Sequence, residues 1–231
     1  MTTNSRDTAP PRQVRPVRPT RRSVSGVYAF RGETAIEFES TLERDFLIRT
    51  EFFLDVLDVI PQPVQVPFRG VNGQEYHYTP DFLVYYRLGD RRYADYPRPM
   101  LVEVKPEQEW RRHWRAWSAK WKAAGRYARE QGWTFRIHDE SRIRDGVLDN
   151  IRFLERYRRL TFPPEQTWAV LGDLRAMGSA PFHYLLARHF SGLYRGTGIA
   201  HLWHLLATRQ VDGDLSRPLS EFTEVWVPTD E

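Results

Sequence analysis

The segment Leu101-Val102-Glu103-Val104-Lys105 constrains this chain more than any other. Its apolar residues form a near-continuous run, the pattern of a strand covered on both faces of a sheet. That pattern calls for packed layers on either side and points to an α/β fold. Side chains alternate along a strand, so Glu103 and Lys105 project from one face. An acid and a base inside such a strand are costly unless they pair or bind an ion. Twenty-two residues earlier, Thr79-Pro80-Asp81-Phe82-Leu83-Val84 brings a second carboxylate to the start of another strand. Two carboxylates converging with a lysine can hold a hard divalent cation and position a water beside it, which suits phosphodiester hydrolysis. Taken singly, Asp81 reads as a turn residue after Pro80, and Glu103 with Lys105 as an edge-strand charge pattern. Taken together, with apolar neighbours on both strands, they favour a site.

Around these strands the pattern is readable. Residues 38–58 are expected to form one helix, with Leu42, Phe46, Phe53 and Leu57 at helical spacing, Ser40 as N-cap and Pro61 and Pro63 as the stop. Val64, Val66 and Phe68 alternate as a strand, Asn72-Gly73 marks a hairpin turn, and Glu75 to Tyr86 reads as a single return strand carrying Asp81. A polar loop from Leu88 to Pro99 precedes the strand Met100 to Lys105. A helix is expected from about Glu107 to Gln131, with Trp110, Trp114, Trp117 and Trp121 in one stripe. That stripe reads as core packing rather than a base-stacking surface. Arg111, Arg112, Arg115, Lys120 and Lys122 read as its solvated basic face. A strand from Trp133 to His138 and a helix from Val147 to Leu160 follow.

Thr161-Phe162-Pro163-Pro164 reads as a domain boundary. Beyond it, helices at about 164–177, 181–190 and 197–209 precede a strand, loop and strand ending near Val227. Three helices plus a hairpin describe a winged helix, a common nucleic-acid or partner-binding module.

Glu43 is the natural third carboxylate, but Ser40-Thr41-Leu42-Glu43 also fits a capping box, and spacing alone does not choose between the two. His77 reads as packing or surface. His183, His189, His201 and His204 have no carboxylate motif and are assigned no metal.

Charge is uneven along the 231 residues: net +4 overall, but +5 within residues 1–25, where six arginines face one acid, leaving −1 for the remainder. Such an arm is expected to be disordered when free, and reads either as a tracker of phosphate backbone or as a solubilising tail. The absence of cysteine excludes disulfides and thiolate zinc sites. No stretch approaches the roughly 20 apolar residues of a membrane span. A secretory signal core is also missing, and cytoplasm is the default expectation.

Pro80-Asp81 followed by Glu103-Val104-Lys105 matches the PD-(D/E)xK nuclease pattern. With "FESTLERDFL" at 38–47, "YTPDFLVYY" at 78–86 and "LVEVKP" at 101–106, the chain resembles TnsA, the endonuclease subunit of heteromeric cut-and-paste transposases. The resemblance spans roughly residues 24–160, and more loosely the tail from 163. It implies a restriction-endonuclease-like core, a mixed central sheet flanked by helices, at 26–160, and a mainly helical winged-helix-like domain at 163–231. It places the family's catalytic residues on Glu43, Asp81, Glu103 and Lys105. The metal ligands would be Glu43, Asp81, Glu103 and the Val104 main-chain carbonyl, with Mg²⁺ (or Mn²⁺) as the ion. It further implies cleavage at the transposon 5′ ends, a TnsB-like transposase partner and a TnsC-like regulator ATPase. Two other readings remain: a stand-alone restriction or repair nuclease of the same superfamily, and a non-catalytic DNA- or partner-binding adaptor.

Overall fold

The apolar runs become the inner strands of a mixed four-stranded sheet. The structure, a computed structural model, describes residues 12–15, 24–89 and 91–228. Most of the expected arm at 1–25 lies outside them. The chain divides into two compact units, one comprising residues up to Leu47 plus Asp55–Arg142, the other Ile48–Leu54 plus Ile143–Glu231.

The first unit opens with a hairpin, β1 (Gly26–Phe30) and β2 (Thr34–Phe38), which the sequence reading had not recognised. Its turn places Arg31 and Gly32 at positive φ, a conformation only glycine adopts freely. Helix α1 runs Thr41–Phe52 and is shorter than expected. Residues beyond it form strand β3 (Val56–Pro61), so the helix expected over 38–58 is corrected to its central part. The physical reason is composition: Val56, Val59 and Ile60 are β-branched and suit a pleated, half-buried surface. Strands β4 (Val66–Arg69) and β5 (Glu75–Tyr78) pair as a separate antiparallel hairpin. The chain then breaks at Thr79-Pro80-Asp81 and resumes as β6 (Phe82–Tyr86), so the expected return strand is two strands in two sheets.

Strand β7 (Met100–Val104), helix α2 (Glu107–Glu130), strand β8 (Thr134–His138) and the short α3 (Glu140–Ile143) complete the unit. The central sheet has the order β3-β6-β7-β8, antiparallel except for the β7–β8 pair. Its parallel pair requires a crossover, and α2 supplies it. Leu83 and Leu101, with no exposure, pack on Trp121, Ala124 and Ala128 of α2. On the other face Phe82 stacks on Phe46 of α1 at 5.2 Å between ring centroids. Strand β7 is thus buried on both faces, as its run of apolar residues predicts. The tryptophan stripe is largely packing: Trp121 is buried, Trp110 and Trp117 are partly buried, and Trp114 faces solvent.

The second unit contains α4 (Gly146–Arg158), α5 (Pro164–Met177), β9 (Ser179–Pro181), α6 (Phe182–His189), α7 (Arg195–Ala207), β10 (Asp212–Gly213) and β11 (Glu224–Trp226). The boundary expected at Thr161–Pro164 falls inside this unit, because α4 packs with α7. The three short strands form one antiparallel sheet in the order β10-β11-β9. Leu154, Leu174, Leu185, Leu205 and Leu206 are almost wholly buried in a single apolar core. Gly198 allows α7 to approach Phe190 closely, since a Cβ there would meet that side chain at 2.3 Å. His201 is buried in the same core, stacked on Phe162 and bonded to Thr167 Oγ1 at 2.8 Å.

Candidate active site

Register brings the two motif strands together. Phe82 lies opposite Val102 in the antiparallel β6–β7 pair, so one step further Asp81 lies beside Glu103. The Asp81 amide donates to the Val102 carbonyl at 3.0 Å, and its own carbonyl accepts from the Gln62 amide at 2.7 Å. The carboxylate Oδ2 accepts from the Val104 amide at 2.7 Å, which fixes the side chain against the end of β7. Burial pushes the Asp81 carboxyl well above its usual range, and the charges of Glu103 and Glu43 add to this against the opposing pull of Lys105.

Glu103 shares the inward face with Leu101 and is only 2 % exposed. Both of its oxygens are held. Oε2 accepts from the Tyr78 hydroxyl at 2.5 Å. Oε1 lies 3.7 Å from Lys105 Nζ and 3.4 Å from Lys120 Nζ. Tyr78 ends β5, directly before the Thr79-Pro80-Asp81 break, and its hydroxyl is pushed well above its ordinary pKa by burial and by Glu103. Burial works against the Lys105 ammonium, but Asp81, Glu103 and Glu43 outweigh it and push its pKa up to about 12.

Glu43 is tied into the start of α1. Half of the expected capping box forms, since the Glu43 amide donates to Ser40 Oγ at 3.1 Å; the glutamate in return accepts from Ser40 Oγ at 2.9 Å and from the Glu39 amide at 2.7 Å, one residue before the N-cap amide. Its charge is also felt by Asp81 and Lys105. Burial raises its own carboxyl despite the two cap bonds.

Tyr78 and Lys120 were not singled out as site residues from sequence. Lys120, which the sequence pattern places on the solvated face of α2, instead reaches Glu103, a correction to that expectation. It lies three residues after Trp117 and one before Trp121, on the stripe's own side. That spacing was the available signal. Tyr78 offered none, because its reach to Glu103 depends on how the β4–β5 hairpin packs.

The donor set is all oxygen, which is the chemistry of a hard divalent cation. Among the described residues no three His, Asp or Glu side chains converge as a ready-made cage. Glu43 accepts from cap groups, and Glu103 accepts from Tyr78 and lies against two lysines. Burial is the largest cause of the raised carboxyls of Asp81 and Glu43. No helix among the described residues is long and apolar enough to cross a membrane.

Comparison with known families adds independent evidence. The model described as TnsA-like endonuclease N terminal matches residues 54–140, and that described as TnsA endonuclease C terminal matches residues 142–215. Asp81, Glu103, Lys105 and Lys120 lie inside the first match, whereas Glu43 precedes it. No curated protein matches the chain. The two adjacent matches run in the family's own order along most of the sequence, and the chain belongs to the TnsA family of DNA endonucleases that serve transposition.

Proposed function

We propose that this protein is the subunit of a heteromeric transposase that hydrolyses the phosphodiester at the 5′ ends of the transposon, using Mg²⁺ or Mn²⁺. The observation that carries this reading is the register that sets Asp81 beside Glu103, with Lys105 on the same strand end. Glu43, Asp81, Glu103 and the Val104 main-chain carbonyl would hold the ion. When bound, it supplies Lewis-acid polarisation of the scissile phosphate and stabilises the leaving oxygen.

The remaining chemistry belongs to the chain. The Val104 amide keeps Asp81 aimed in one direction, so no reorganisation is needed on substrate arrival. Lys105, with its pKa near 12, stays an ammonium at working pH. This supports a role in orienting the attacking water and balancing phosphate charge rather than in taking its proton. Tyr78 holds Glu103 by its other oxygen, Oε2.

The second unit would serve as a winged-helix-like binding module. Its order from α5, namely helix, strand, helix, helix, strand, strand, supports that reading. A TnsB-like transposase and a TnsC-like ATPase are the partners the family implies.

The test is strand-resolved cleavage of labelled transposon-end DNA in Mg²⁺, with and without the cognate transposase. Nicking at the 5′ end that needs the partner and is lost in Asp81→Ala supports the proposal. Cleavage without a partner would indicate a stand-alone nuclease, and no cleavage with the full partner set in Mg²⁺ or Mn²⁺ would leave an adaptor.

A further inference from the structure

The site holds a second lysine that the proposed chemistry does not use. Lys120 reaches Glu103 Oε1 from α2 at 3.4 Å, nearer than Lys105 at 3.7 Å, and its side chain is 18 % exposed against 30 %. Its ammonium faces three aromatic rings, Tyr78 at 4.7 Å, Trp117 at 4.8 Å and Trp121 at 5.5 Å from the centroids. Ring faces attract a cation, and the attraction grows where water is excluded. A lysine normally keeps its head in water on a flexible stem, so enclosure between rings and a buried carboxylate fixes it at an entropic cost.

The consequence concerns Glu103. This carboxylate is almost wholly buried and its second oxygen is already held by Tyr78. Lys105 sits at the end of β7 with more solvent contact, where it can turn towards a phosphate or water. Lys120 has no such freedom. Its cage holds it on Oε1 whatever Lys105 does.

We infer that Lys120 is a positioning residue with a built-in charge, which keeps Glu103 oriented before a divalent cation arrives and competes with that cation for Oε1. The inference rests on reading the site as a metal-dependent nuclease centre. It predicts two effects of opposite sign on neutralising Lys120. Cation affinity should rise, because a competing positive charge is gone. Turnover at saturating cation should fall, because Glu103 is no longer held. A lysine that merely stabilised the fold would, when lost, weaken both.

The experiment uses the full-length protein and Tb³⁺ as probe, with emission sensitised by the nearby tryptophans and displaced by Mg²⁺. Wild type, Lys120→Met, Lys120→Arg and Asp81→Ala are compared, each with its melting curve and its Mg²⁺-dependent nicking alongside the transposase. Lys120→Met is expected to bind roughly tenfold more tightly, as removal of one nearby charge implies, and to nick at least about tenfold more slowly at saturating Mg²⁺. Lys120→Arg should return the affinity towards wild type. Unchanged or weaker binding by Lys120→Met with an intact melting transition would overturn the inference, as would nicking at the wild-type rate. If Lys120→Met loses its cooperative transition, Lys120→Gln, with a polar head in the same cage, takes its place under the same criteria. Failure of the nuclease reading would look different: wild-type protein itself would show no Tb³⁺ binding that Asp81→Ala abolishes.

Discussion

The two units bury different things. The first places Glu43, Asp45 and Glu103 below a tenth exposed, with Lys105 and Lys120 turned in towards the cluster. The second builds a continuous apolar core from leucines, Phe182 and Trp203; its buried Glu51 is paired with Arg158 at 2.7 Å, and its buried histidine is neutral and stacked. Buried charge is weak evidence for stability, since apolar residues of similar size would hold a fold at least as well. The gathering of Asp81, Glu103, Lys105 and Lys120 where β6 begins and β7 ends therefore speaks for chemistry.

The contrast can be broken most forcefully at Asp81. Asp81→Ala should reduce nicking by at least about a thousandfold while leaving the melting temperature close to that of wild type. Two effects offset each other: the raised carboxyl means that the ionised form is disfavoured in the fold, so its removal relieves the native state, while the Val104 amide loses its acceptor. A fall in stability alongside activity would place Asp81 among structural residues. Leu205→Ala in the second unit should do the reverse, costing about 2–5 kcal/mol in urea unfolding with cleavage per folded molecule retained.

His201 sharpens the comparison through pH. Burial, with a smaller contribution from His204, pushes its pKa down to about 4. Above pH 6.5 the ring is neutral in both states and its contribution is complete. As pH falls from 6.5 towards 4, the unfolded chain takes up the proton first and stability is lost, by roughly 3 kcal/mol in all. Urea midpoints at pH 7.5 and pH 4.5 should show this for wild type, and His201→Phe should remove that part of the difference.

The smallest effect separates the two roles of Glu43. Ser40→Ala should cost about 1 kcal/mol through the cap alone. Glu43→Gln keeps a side chain that capping boxes accept but removes the charge. Normal melting with lost cleavage would assign Glu43 to the chemistry, and normal cleavage would leave it a cap.

Much of this was legible in the chain. Strand β7, helix α2 and the three helices after Pro164 followed from apolar periodicity, because each has one dominant pattern and a clear stop. The end of α1 did not, since Phe53 and Leu57 continue a helical spacing into residues that β-branched Val56, Val59 and Ile60 turn into a strand. Glu103 and Lys105 announced themselves as charges in an apolar run. Tyr78 and Lys120 complete the cluster only through tertiary packing, and Lys120 was hidden by the basic residues around it. The β4–β5 hairpin and β6 read as one strand because Thr79-Pro80-Asp81 looks like a local kink. It is the point where the chain changes sheets.

The most direct measurement of the central claim is anomalous scattering from crystals of the protein grown with Mn²⁺. A peak is expected about 2.0–2.3 Å from a carboxylate oxygen of Asp81, shared with Glu103 and absent in Asp81→Ala. A peak elsewhere, or none at Asp81 in protein that still nicks DNA in Mn²⁺, would contradict it.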